Sequence, residues 1–524
     1  MHLRTGLPLA STLLALLLFS GPAPAHAAEE PAAPGGAKAA MAEGKADKPA
    51  EKAVERAVRT QHSLVLDGQK IAYTATTGTL VLKDENGKDK ASLFYVAYTR
   101  DGVKDSGERP VTFSFNGGPG AAALWVHLGA FGPKIVAQDP EGMPLPPPAR
   151  LVENPNSVLD VTDLVFVDPV STGYSRPAPG EDPKQFHGVD EDAAAVGEFI
   201  RLWLTRNERW GSPKFLAGES YGTTRSAALS AHLQDRYGLQ LNGIVLISTV
   251  LNWQNQAFDT GNDLGYVIYL PTYAATAWYH KKLAPELSGD LPKLLEEVEA
   301  FALGEYVLAL HQGDWLPAEK RREVARKVAR YTGLSPEYVE RANLRIEHIR
   351  FCKELLRDQG KTVGRLDSRF TGDDIDAAGE YFLSDPSLVA VDGPYVTAMQ
   401  DYLRRELNYK EDQLIYERLA NVFPWKFGPG GENRYVNVAE RLRQAMIKNP
   451  DLKVLVTSGY YDLATPYFDG DYTVAHLGLP EHLRGNVKIE YYESGHMMYI
   501  RQVDHRKFKK DVADFIRWAA KPRR

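Results

Sequence analysis

Apolar positions follow two successive rhythms along this chain. From residue 62 to residue 100, short apolar runs alternate with turn signals. Residues 63–67 end at Asp67-Gly68, residues 71–82 are rich in Thr and end before Glu85-Asn86-Gly87, and residues 93–98 form a third run. This pattern predicts antiparallel strands at one edge of a sheet. From Val111 onward the runs are short and mostly apolar. Residues 111–115, 163–168, 215–217 and 243–248 read as buried strands. Between them, residues 189–205 carry Val196, Phe199, Ile200 and Trp203 at helical spacing, and residues 223–237 are rich in Ala and Leu with no Gly or Pro. Strands alternating with helices predict an α/β fold, with a mostly parallel central sheet flanked by helices on both faces.

The rhythm stops near Asn252. Residues 253–278, 320–331 and 337–357 predict helices, and strands resume only at 453–458 and 487–492, before a last helix over 506–519. Because strands resume, residues 253–390 are expected to be a helical cap inserted over the strand ends, with the core formed by 61–252 and 391–524. An independent second domain is the alternative.

The N-terminus changes the picture of where the chain works. Arg4, an apolar run over residues 7–19 and Ala25-His26-Ala27 have the form of a signal peptide over 1–27, cleaved after Ala27. That run is too short to span a bilayer comfortably. Export to a periplasm or the exterior is expected, without a membrane anchor. Residues 28–60, mostly Ala, Glu, Lys, Pro and Gly, are expected to be a disordered linker.

Composition adds little. The chain has 524 residues, 44% hydrophobic and 25% charged, with a net charge of -6, and no basic run suggests nucleic-acid binding. The single cysteine, Cys352, excludes an intrachain disulfide and reads as a packed thiol.

Candidate chemistry centres on Gly218-Glu219-Ser220-Tyr221-Gly222, a G-x-S-x-G between a predicted strand and a predicted helix. This is the context of a nucleophile elbow, so Ser220 is the candidate nucleophile. A base and an orienting acid should follow, each in a loop past a late strand. Asp462 follows the strand 453–458, and His496 follows the strand 487–492, just after Gly495, which would free the loop. A turn-capping role for Asp462 and a surface-loop role for His496 are the alternatives. The oxyanion donors expected are the N–H groups of Tyr221, next to the nucleophile, and Gly118, in the Asn116-Gly117-Gly118 loop after an early strand. No metal-ligand motif is evident, and no cofactor is expected.

Five motifs then resemble one family. Asn116-Gly-Gly-Pro-Gly120, Asp168-Pro-Val-Ser-Thr-Gly-Tyr-Ser175, Gly218-Glu-Ser-Tyr-Gly222, Ser458-Gly-Tyr-Tyr-Asp462 and Ser494-Gly-His-Met497 are similar, in order, to motifs of the serine carboxypeptidases, in particular their bacterial secreted relatives. The resemblance covers about residues 90–250 and 390–515. It implies an α/β-hydrolase fold, the triad Ser220–Asp462–His496, and a peptide substrate with a free C-terminus. It also implies that Asn116, Gly117 and Glu219 hydrogen-bond that terminal carboxylate. A carboxylate accepts from Glu219 only if one of the two acids keeps a proton, which predicts better peptide hydrolysis at acidic pH. Ala130 stands where many members carry a second acid paired with the Glu before the nucleophile, which leaves open how far the Glu219 pKa is raised. A serine esterase or acyltransferase on the same triad, and a non-catalytic binding protein, are the other readings.

Overall fold

Nine strands form the central sheet: β1 (Ala57–Leu66), β2 (Gln69–Lys83), β3 (Asp89–Arg100), β4 (Val111–Phe115), β5 (Asp163–Val167), β6 (Lys214–Glu219), β7 (Gly243–Ile247), β8 (Lys453–Gly459) and β9 (Val487–Tyr492). Their spatial order is β1-β2-β3-β5-β4-β6-β7-β8-β9, and a tenth short strand, Arg176–Pro177, pairs with β3. β1 to β3 are antiparallel, β3 meets β5 antiparallel, and every pair from β5 to β9 is parallel. The computed structural model describes residues 53–428 and 435–521. The expected signal peptide and most of the expected linker lie outside them.

Burial explains the two rhythms. Every residue of β4, β5 and β7 is buried, as a strand covered on both faces requires. Alternate residues feed two separate cores. Phe215, Ala217, Val245 and Ile247 face one, together with Phe508, Val512 and Phe515 of the last helix. Leu216, Ile244 and Leu246 face the other, together with Val196, Phe199 and Trp203 of helix α1 (Val189–Arg206) and Leu229 and Leu233 of helix α2 (Tyr221–Tyr237). The β1–β2 turn places Asp67 at φ 49° and Gly68 at φ 78°, the left-handed pair that a two-residue hairpin loop uses.

Between β7 and β8 the chain is mainly helical. It includes α3 (Leu264–Tyr279), α4 (Leu291–Phe301), α5 (Ala318–Thr332), α6 (Pro336–Arg341), α7 (His348–Glu354) and α8 (Pro386–Arg405). Three expectations are corrected here. First, the strand β1 begins at Ala57, inside the stretch 28–60 expected to be linker. Backbone pairing from Ala57↔Gly78 onward orders it, and Val58 packs on the core. Second, the helix expected from 253 starts at Leu264, after a short 3-10 turn over Trp253–Gln256 capped by Asn252. Third, the single helix expected over 337–357 is two. Asn343 and Leu344 are left-handed, at φ 52° and 64°, and the break lets the Arg345 side chain reach Asp263 and the Leu310 carbonyl. Cys352 is fully buried in α7, and burial pushes its thiol pKa up.

Among the described residues, no helix is long and apolar enough to cross a membrane.

Candidate active site

The parallel strands β6, β7, β8 and β9 end at one edge of the sheet. Register fixes this: Glu219 pairs with Ile247, Ile247 with Thr457, and Ser458 with Tyr491. Ser220, Asp462 and His496 each follow one of these ends, so the topology delivers all three to the same edge.

Ser220 sits between β6 and α2 with φ 60° and ψ −129°. This conformation is strained for a residue with a side chain, by about 1–3 kcal/mol. Neighbouring contacts hold it. The Ser220 N–H donates to the Ile247 carbonyl at 2.9 Å, and the Ser220 carbonyl accepts from Thr223 N–H and Thr223 Oγ1. Strand and helix could not meet here with a larger residue at 218. A Cβ on Gly218 would lie 2.1 Å from the Gly222 carbonyl oxygen.

The early loop packs onto this elbow. A Cβ on Gly117 would stand 2.4 Å from the Tyr221 nitrogen, so the segment carrying Gly118 lies against the N-terminus of α2. Tyr221 is the first residue of α2, and its N–H has no partner within the helix. Gly118 has φ 99°. Beneath the loop, Arg225 donates from Nη1 to the Asn116 carbonyl and from Nε to Asp192, each at 2.7 Å. Its guanidinium carbon lies over the Phe115 ring at 5.0 Å and over the Tyr221 ring at 5.2 Å from the centroids.

Asn116 and Glu219 meet directly. Asn116 Nδ2 donates to Glu219 Oε1 at 2.6 Å, while Asn116 Oδ1 accepts from the N–H groups of Trp125 and Val126. The Tyr499 hydroxyl donates to Glu219 Oε2 at 2.5 Å. Burial of the Glu219 carboxyl pushes its pKa up to about 7, against the lowering effects of His496, Tyr499 and Asn116, and Asp462 raises it further. No second acid is needed for this shift. Ala130 faces other work, its carbonyl accepting from His505 and Asn154.

Asp462 and His496 also meet directly, through Oδ2 and Nδ1 at 2.7 Å. Asp462 is fully buried. Its Oδ1 accepts from the N–H groups of Ala464 and Thr465, and its Oδ2 also accepts from Thr465 Oγ1. It therefore caps the turn and holds the histidine at once. Burial opposes charge on His496, but the Asp462 carboxylate outweighs it, and the His496 pKa is raised. Both side-chain contacts of His496, to Asp462 and to Thr465, are at Nδ1. Among the described residues Nε2 has no hydrogen-bond partner, and none joins it to Ser220. Such bonds are often loose without substrate and tighten in the complex.

Gly495 has a different role from the one expected. It does not free the loop, because a Cβ there would lie 2.4 Å from the Leu366 carbonyl oxygen and 2.5 Å from the Asp367 Cα. It permits a close approach. Sequence reasoning missed Tyr499, Thr465, Arg225 and the 365–369 segment. Tyr499 and Thr465 lie three residues from His496 and Asp462, a nearness that could have drawn attention to them. Nothing local marks the other residues.

Parts of the chain are similar to known proteins. Residues 69–293 match the family model described as serine carboxypeptidase. The pheromone-processing carboxypeptidase KEX1 of Cryptococcus gattii is 34% identical over 139 residues, 26% of this chain and 19% of that protein. The chain thus spans about a fifth of that curated relative. Among solved structures, the prohormone-processing carboxypeptidase KEX1(delta)p of Saccharomyces cerevisiae superposes with a TM-score of 0.53 at 13% identity, covering 84% of this chain and 91% of that one. The fold is an α/β-hydrolase fold, and residues 69–293 are similar to the serine carboxypeptidases.

Proposed function

We propose, from this kinship with the serine carboxypeptidases, that the chain is a serine hydrolase that removes single residues from the C-terminus of peptides. Ser220 Oγ attacks the last peptide carbonyl while His496 Nε2 takes its proton. The new oxyanion is held by the N–H groups of Gly118 and Tyr221. Asp462, held by Thr465 and two backbone N–H groups, orients the imidazole and stabilises its charge. The protonated His496 then gives the proton to the departing amine, the C–N bond breaks, and the terminal amino acid leaves. Water, deprotonated by His496, attacks the acyl-enzyme and restores Ser220.

One observation carries the choice of a carboxypeptidase: Glu219, a buried acid beside the nucleophile whose pKa lies at about 7. A peptide carboxylate would be repelled by an ionised Glu219. A protonated Glu219 donates to it instead, and hydrogen bonds to charged groups contribute about 1.5–3 kcal/mol. Asn116 and Gly117 would complete this recognition. The engagement of both Glu219 oxygens by Asn116 and Tyr499 favours a second reading, in which Glu219 only stabilises the elbow and the enzyme is an esterase or acyltransferase.

Blocked dipeptides with a free C-terminus, assayed against their amides, separate the two. A preference for the free acids supports the carboxypeptidase, and equal rates remove it. Digestion of a peptide library read by mass spectrometry, with Ser220→Ala as control, tests the reaction itself. Release of single C-terminal residues by the wild type alone is expected.

Export is part of the proposal, resting on Arg4, the apolar run 7–19 and Ala25-His26-Ala27. N-terminal sequencing of the secreted protein should begin at Ala28. The helical segment 253–390 is proposed as a cap that helps to shape the substrate pocket.

A further inference from the structure

The loops carrying Asp462 and His496 are joined by a third piece of chain that belongs to neither. Residues 365–368, from the helical segment between β7 and β8, touch both. The Arg365 carbonyl accepts from Leu463 N–H at 3.0 Å, and Ser368 N–H donates to the Tyr461 carbonyl at 2.9 Å. These two bonds grip the residues on either side of Asp462. The Leu366 carbonyl accepts from His496 N–H at 2.6 Å, and Asp367 Oδ2 accepts from Gly495 N–H at 3.0 Å. These grip His496 and the residue before it.

Asp367 is built for this position. It is buried, and so is its partner Arg369. Arg369 Nη2 donates to Asp367 Oδ2 at 2.6 Å, and Arg369 Nε and backbone N–H donate to Oδ1 at 3.0 and 3.1 Å. The carboxylate is therefore fixed before it meets Gly495. The segment is itself anchored at the start of α8, where Asp385 Oδ1 accepts from Arg365 N–H and Ser387 Oγ accepts from Leu366 N–H. From α3, Thr276 Oγ1 contacts Ser368 Oγ, and from the C-cap that follows it His280 Nε2 contacts the Ser368 carbonyl, both at 2.6 Å. The closeness at Gly495, where no Cβ fits, is an independent sign that the contact is tight.

We propose that Asp367 is a positioning residue for the catalytic base: through Gly495 it sets where the His496 imidazole stands relative to Asp462 and Ser220. Among the described residues, Asp367 makes no hydrogen bond to the side chains of Ser220, Asp462 or His496; the partners of its carboxylate are Arg369 and the Gly495 N–H. It acts through the backbone of the His496 loop, with Arg369 holding its carboxylate in place. The proposal rests on the reading of Ser220, Asp462 and His496 as a triad. It adds that the helical segment between β7 and β8 is part of the catalytic scaffold as well as a cover.

The test measures three quantities on full-length wild type, Asp367→Asn and Asp367→Ala: kcat and KM on a blocked dipeptide, and the rate of labelling by a fluorophosphonate, which reports the activated serine alone. A misplacement of about 1 Å can cost on the order of 10²-fold in rate. Asp367→Ala should lose kcat and labelling rate together by that order, with KM unchanged. Asp367→Asn keeps an acceptor of the same shape and should recover part of both. If Asp367→Ala does not fold, as judged by circular dichroism, Asp367→Asn decides: a folded variant with wild-type kcat and labelling rate overturns the proposal. So does a loss confined to KM. If the wild type itself is not labelled, the triad reading fails, which is a separate result.

Discussion

Tyr499 and Glu219, 280 residues apart, share a hydrogen bond of 2.5 Å at the centre of the site. Tyr499 lies three residues after the candidate base, and Glu219 lies one residue before the candidate nucleophile. A neutral phenol thus occupies the place at Glu219 where a second carboxyl could share its proton. The phenol stays a donor across the whole neutral range, because burial drives its own pKa well up. The donor favours the ionised form of Glu219 and burial favours the neutral form. Burial wins, leaving the carboxyl near 7.

The pH profile of peptide hydrolysis should therefore carry a falling limb near pH 7, as Glu219 loses the proton it offers to the substrate carboxylate. Its rising limb follows deprotonation of His496, whose pKa is raised. Glu219→Gln removes the group that titrates in the falling limb, and should flatten that limb. Measured kcat/KM against pH should change far more on peptides than on simple esters. An unchanged peptide profile would remove Glu219 from carboxylate recognition.

Tyr499→Phe should move the same limb to higher pH. The lost bond stabilised the ionised Glu219, so its pKa rises. A hydrogen bond to a charged group contributes about 1.5–3 kcal/mol, and one pKa unit is about 1.4 kcal/mol, so a shift of roughly one to two units is expected. A shift to lower pH would contradict the assignment.

Asp462→Asn should leave KM near its wild-type value and lower kcat on the order of 10⁴-fold. An amide at this position favours the wrong tautomer of the histidine and does not stabilise its charge. Steady-state kinetics on a peptide and an ester should show the same loss, since both pass through Ser220 and His496.

Arg225→Met should be severe for stability. The variant leaves Asp192 buried without its partner, and breaking a buried pair costs about 3–5 kcal/mol. Denaturant unfolding should show a lower midpoint with an unchanged slope. Because Arg225 also holds the Asn116 carbonyl, the folded fraction should bind peptides more weakly.

The sheet was legible because its evidence is local. Every residue of β7 is buried between two covered faces, and its run Ile244-Val245-Leu246-Ile247 is apolar without interruption and visible in the sequence. Ser220, Asp462 and His496 were legible because each follows a strand that could be read. The break at Asn343 and Leu344 was not, since neither residue is Gly and the ion pair Arg345–Asp263 that exploits it spans 82 residues. Gly495 was seen and misread. Flexibility and close approach call for the same residue, and only the presence of Leu366 and Asp367 distinguishes them. Tyr499 was passed over because its partner, Glu219, is remote in the chain.

The clamp at Asp367 also bears on the order of folding. Its contact with Gly495 joins positions 128 residues apart, whereas Asp462 and His496 are separated by 34. Closing the larger loop costs on the order of 4 kcal/mol of chain entropy before any contact is rewarded. The sheet itself needs a wider closure, since Ile247 of β7 pairs with Thr457 of β8 across 210 residues. If the clamp positions His496, a refolding chain should react with a fluorophosphonate no sooner than both closures are made. A chain in which the sheet has paired but the clamp has not would be a hydrolase in shape and not yet in chemistry.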